Sequence, residues 1–262
     1  MRPGFRRGGL ALIAAVHLAL PSALGASGRE GECPVPESFS AFEPALPRTV
    51  AALAGGSDVV VVVLGGASSL GSAAGGPALA WPARMKGALA GRFPAARVKV
   101  VNLAAPRQTA QEAAARLARD VLPLRPVLVV WETGTVEAVR GSPVDEFRDT
   151  LQAVVDELHG AGVELVLMSP QFSRDTDAMI RFEPYLGAMR EMADANDVAL
   201  FHRHGIMWQW AESGALDLRA RDSEKRRPLA AKLYDCVGRA MADFVARDAP
   251  GPAAVSSPGG RP

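Results

Sequence analysis

Cysteine is nearly absent from this 262-residue chain, which holds only Cys33 and Cys236. Two thiols exclude a multi-disulfide scaffold and a cysteine-rich metal site. An excess of one charge is missing too: 29 Lys and Arg stand against 28 Asp and Glu, for a formal charge of +1. Without a strong basic balance, nucleic acid is not an expected partner. Beyond the N-terminus no apolar run approaches the roughly 20 residues needed to cross a bilayer. Internal repeats and composition breaks are also lacking, so the length fits one domain.

The N-terminus carries what the rest lacks. Arg2, Arg6 and Arg7 precede an apolar stretch from Leu10 to Leu20, followed by Pro21 and the small residues Ala23-Leu24-Gly25. This is the pattern of a secretory signal peptide over residues 1–25, and it predicts a protein exported to the periplasm or cell exterior, with no membrane span after signal removal. Loss of that segment moves the formal charge from +1 to about −2. In an oxidising compartment Cys33 and Cys236 are expected to form one disulfide, the alternative being two buried free thiols. Residues 26–56 read as an N-terminal arm, 57–247 as the domain, and the Pro/Gly/Ser-rich residues 248–262 as a disordered tail.

Five continuous apolar, β-branched runs read as buried strands: Val59 to Leu64, Val98 to Asn102, Val127 to Trp131, Val163 to Met168 and Val198 to Phe201. Neither face of such a strand alternates with water, as expected where helices cover both sides. Apolar stripes at helical spacing lie between them. One follows Ser142-Pro143, with Ser as cap, Pro as start and Gly160 as stop. Others run from Gln108 to Leu122, from Pro184 to Ala195 and from Leu229 to Phe244. The charged run from Glu224 to Arg227 reads as a solvated loop. Alternating strands and helices close as a parallel, doubly wound three-layer α/β/α sandwich whose ligands bind beyond the C-terminal strand ends.

The strand ends carry a resemblance. Gly65-Gly66-Ala67-Ser68-Ser69-Leu70-Gly71 after the first strand is similar to a GDSxTxG block. Val101-Asn102-Leu103-Ala104 with Arg107-Gln108-Thr109 is similar to the second block of the same family, and Trp131-Glu132-Thr133-Gly134-Thr135-Val136-Glu137 to its GTND block. Leu233-Tyr234-Asp235-Cys236 matches the segment after its Asp-x-x-His pair. In this order they resemble the SGNH, or GDSL-type, hydrolases. That family comprises esterases, lipases and carbohydrate acetyl-esterases with a flavodoxin-like sandwich, here with a five-stranded parallel sheet.

The resemblance implies a degenerate active site. The family's nucleophilic serine falls on Ala67, whose methyl cannot attack a carbonyl. Its oxyanion glycine falls on Arg107 and its oxyanion asparagine on Val136, a loss that typically costs about a hundredfold or more in rate. Between Asp217 and Tyr234 there is no histidine to serve as general base. The expectation is therefore a binding or assembly protein for an envelope carbohydrate or an acylated small molecule. Its cleft would be lined by Gly66, Ala67, Ser68, Arg107, Thr135, Glu137 and Gln171. The alternative is a working ester hydrolase that uses Ser68 or Ser69 with His202 or His204. The competing reading of Ser68 and Ser69 is that both cap the turn. No cofactor is expected. Nor is a metal, because His202 and His204 have no third ligand at zinc spacing. Nothing in the sequence specifies an oligomer.

Overall fold

The structure, a computed structural model, describes Met1, residues 33–218 and residues 222–250. The proposed signal peptide and most of the C-terminal tail therefore lie outside the described residues. In chain order the elements are α1 (Pro47–Ala54), β1 (Asp58–Leu64), α2 (Trp81–Arg92), β2 (Arg97–Asn102), α3 (Ala110–Ala114), β3 (Leu128–Glu132), α4 (Thr135–Arg140), α5 (Val144–Gly160), β4 (Glu164–Met168), α6 (Arg174–Asp177), α7 (Glu183–Asn196), β5 (Ala199–Phe201), α8 (Arg203–Ser213) and α9 (Ser223–Val245).

All five strands are parallel, in the order β2-β1-β3-β4-β5. Strands β1, β3, β4 and β5 are buried on both faces, and their side chains alternate between two cores; edge strand β2, expected to be buried as well, has no fully buried residue and exposes Arg97 and Lys99, because no further strand covers that edge. Val59, Val61, Val63, Val130 and Met168 meet α2, α8 and α9 on one side. Val62, Leu64, Val129, Trp131 and Leu167 meet α3, α5 and α7 on the other. This is the expected α/β/α sandwich. Helix α5 shows how the layers are held, since Phe147, Leu151, Val154, Val155 and Leu158 form its buried stripe. Each such side chain contributes about 2 kcal/mol on burial.

The N-terminal arm covers the β4 and β5 side of the sheet. Glu164 accepts the Arg48 and Thr49 amides at 2.7 and 2.8 Å, satisfying orphan donors at the start of α1. Glu43 accepts the Leu200 amide of edge strand β5 at 2.6 Å, and Trp210 donates to the Pro34 carbonyl. Cys33 and Cys236 are disulfide-bonded, tying the arm to α9.

Four local expectations need correction. The Gln108 to Leu122 stripe is not one helix: α3 stops at Ala114, and a wider π-helical turn follows over Leu117–Val121. That turn lets Leu117 and Val121 both reach the core, while Arg116 bonds the Leu103 carbonyl and Asp120. Helix α9 begins at Ser223 rather than Leu229 and runs through Pro228. Glu224 to Arg227 thus form its opening turn instead of a loop, capped by the Asp222 carboxylate and tied down by Arg227 to the Ala74 carbonyl. Ser142 does not cap α5; Pro143 occupies that position without a side-chain bond, and the Ser142 carbonyl accepts the Tyr185 hydroxyl. Finally, the left-handed residue that redirects the chain after α5 is Gly162, not Gly160.

Candidate functional site

Strand order reverses between β1 and β3, the switch point where sheets of this kind leave a crevice beyond the strand ends. The turn after β1 lies over that crevice. Gly65 is required there by close approach: a Cβ on it would stand 2.5 Å from Ser69 Oγ and 3.0 Å from Glu132 Oε2. Ala67 is exposed and Ser68 half-buried, while Ser69 is fully buried. In the register of the first block, the nucleophile position therefore presents a methyl group to the cleft.

Both serine hydroxyls turn onto one carboxylate. Ser68 lies 2.7 Å from each Glu132 oxygen, and Ser69 donates to Oε2 at 2.5 Å. Arg203 completes the cluster, donating to Glu132 at 2.9 Å, to Ser68 Oγ at 3.0 Å and to the Ser169 carbonyl. Trp81 Nε1 donates to Ser69 Oγ, and Asn102 donates to the Ser69 carbonyl. The Arg203 and Glu132 side chains are only 1% and 8% exposed, so this is a buried ion pair with its hydrogen bonds filled.

Burial works to raise the Glu132 carboxyl pKa. The Arg203 charge and the bonds from Ser69, Arg203 and Ser68 together outweigh it and hold the group below its ordinary range. Glu132 is neither solvated nor a base poised near neutrality, and Ser68 has spent its one proton on it. The serines do not cap the turn by their side chains as the simple reading expected; they anchor it to β3 through Glu132.

The structure does not bring Ser68 or Ser69 together with either histidine. His202 pairs with Glu43 at 2.8 Å, and His204 pairs with Asp177 at 2.7 Å while stacking its edge on Phe172. Neither imidazole lines the crevice. In α8, Met207 and Trp210 are buried core residues, whereas Trp208 is exposed. Among the described residues, no group of three or more His, Cys, Asp or Glu is arranged to hold a metal ion.

A cavity of about 560 Å³ opens above the strand ends. All seven residues expected in the cleft line it: Gly66, Ala67, Ser68, Arg107, Thr135, Glu137 and Gln171. Val136 lines it too, placing an isopropyl group where the resemblance puts the asparagine donor. Glu137 is 5% exposed and accepts the Ala110 amide at 2.6 Å, so its carboxylate secures α3. Arg107 has φ of 60°, the left-handed region, at the very position where the resemblance places glycine. Tyr234, from α9, also reaches the cavity. Burial pushes its phenol above the ordinary value, with Arg203 pulling it down and Glu132 adding to the rise.

Sequence reasoning passed over Arg203 and Arg140. Arg203 is the first residue of α8, between the two histidines that drew attention. Adjacent helical side chains point about 100° apart, so an inward Arg203 is itself a reason for both imidazoles to lie elsewhere.

A family model described as the non-GDSL lipase-like family matches residues 32–250. The chain belongs to the non-GDSL lipase-like family. No curated protein matches the sequence. Among solved structures, the chain is similar to a two-domain esterase active on acetylated mannans, at 17% identity and TM-score 0.62, covering 84% of this chain and 61% of that one. It is also similar to LAE5, an α/β hydrolase enzyme from the metagenome of Lake Arreo, at 20% identity and TM-score 0.57, covering 71% and 96%. A catalytic mutant of the acetylxylan esterase Axe2 from Geobacillus stearothermophilus matches at 20% identity and TM-score 0.52, covering 69% and 94%. At these identities the likeness shows the fold: the non-GDSL lipase-like chain has the SGNH hydrolase architecture that its strand-end blocks resemble.

Proposed function

We propose that this chain is an exported, non-hydrolytic member of its family that binds a carbohydrate of the cell envelope in the cleft above β1 and β3. One observation carries the reading. At the nucleophile position stands the methyl of Ala67, and the nearest hydroxyl, on Ser68, is held between a buried carboxylate of lowered pKa and a guanidinium, with no imidazole in reach. Acyl transfer needs a base matched to the operating pH, and a carboxylate below its ordinary range is a poor one for an alcohol.

Export is supported by the basic and apolar N-terminal sequence and by the Cys33–Cys236 bridge. A carbohydrate ligand is supported by the polar groups of the cavity, among them Thr135 and Gln171, and by fold neighbours that act on acetylated mannans and acetylxylan. The test is to incubate the purified protein with p-nitrophenyl acetate, acetylated mannan and acetylxylan, and to titrate neutral and acidic oligosaccharides by calorimetry. Binding of at least one saccharide without ester turnover is expected. Turnover that is lost in Ser68→Ala overturns the proposal.

A further inference from the structure

The cleft carries charge that the protein does not neutralise. Of the two carboxylates in its lining, Glu132 is ion-paired with Arg203, while the Ala110 amide bonds Glu137 without cancelling its formal charge, so Arg107 and Arg140 still leave a net positive charge in the lining. Arg107 and Arg140 line the same cavity, both are exposed, and neither forms an ion pair among the described residues. Arg140 Nη2 lies 3.4 Å from the Arg107 carbonyl, so the two cationic segments share one rim. Arg107 also occupies a left-handed conformation that disfavours any side chain with a Cβ and suits glycine. A strained backbone that brings an unspent guanidinium into a cleft points to use of that guanidinium.

We infer that Arg107 and Arg140 form an anion subsite, and that the saccharide taken by this cleft is a negatively charged one, bearing carboxylate or sulfate groups. Guanidinium groups suit both, because their forked donors match planar or tetrahedral oxyanions. This inference rests on the carbohydrate-binding proposal above. Thr135 and Gln171 would face the neutral hydroxyls of the same ligand.

Calorimetric titration separates the outcomes. The probes are trigalacturonic acid, its methyl ester and a κ-carrageenan tetrasaccharide, against the wild-type protein, Arg107→Gly and Arg140→Ala. The acid is expected to bind at least about tenfold tighter than its ester, and more weakly as salt rises. Carrageenan binding comparable to that of the acid identifies sulfate as an equal partner; its absence restricts the subsite to carboxylates. Arg107→Gly is expected to lose about tenfold in affinity for the acid while its melting temperature holds or rises, a pattern that loss of a structural side chain would not give. Equal binding of acid and ester, unchanged affinity in both variants, or no binding of either anion at millimolar concentration overturns the inference. Equal binding would leave carbohydrate recognition standing, whereas ester turnover would defeat the parent proposal independently.

Discussion

The turn after β1 and the turn after β5 meet at one carboxylate, Glu132, yet their side chains have opposite fates. The β1 turn keeps the glycine geometry of a nucleophile turn and directs Ser68 and Ser69 inward onto Glu132. The β5 turn sends Arg203 inward to the same carboxylate and leaves His202 and His204 on the outer side, paired with Glu43 and Asp177. The two turns are thus joined by a buried ion pair, Arg203 with Glu132, to which Ser68 is also bonded.

The largest expected effect comes from breaking that clamp. Glu132→Ala leaves Arg203 buried without its counter-ion and is expected to cost about 3–5 kcal/mol in urea unfolding. Asp177→Ala breaks the corresponding pair at the outer histidine, where the carboxylate is 39% exposed, and is expected to cost no more than about 1 kcal/mol. Equal losses would erase the distinction between the two turns.

Next comes the bridge that anchors the arm behind β5. Cys236→Ser, or reduction, is expected to lower stability by about 2–4 kcal/mol by freeing a crosslink between residues 203 positions apart. Unchanged mobility on reduction together with two titratable thiols would reject the bridge.

A smaller effect follows from pH. Because the folded Glu132 pKa is depressed, its contribution to stability is fully present above the ordinary glutamate value of 4.5 and is lost as pH falls through the lower folded value. Urea midpoints measured from pH 6 down to pH 3 should therefore fall less steeply in Glu132→Gln than in wild type. The smallest expected effect is none: Ala67→Ser restores a hydroxyl without a base, and turnover of p-nitrophenyl acetate is expected to stay at background.

The strands were legible because burial on both faces leaves a continuous β-branched run, as in Val59 to Leu64, and the cleft residues because sheet topology fixes where such runs end. Helix α9 was misread at its start because Pro228 and four charges resemble a loop, although Asp222 supplies an ordinary cap. The π-helical turn at Leu117 and the inward path of Arg203 were not legible. Both depend on which neighbour a side chain meets across the fold, and local pattern carries no record of that.

A non-hydrolytic cleft, as proposed, holds no activated hydroxyl. Intact-mass and peptide mapping after treatment with a fluorophosphonate probe tests it most directly. No adduct is expected at Ser68, Ser69 or elsewhere in the chain. A stoichiometric adduct on Ser68 that disappears in Ser68→Ala would contradict it.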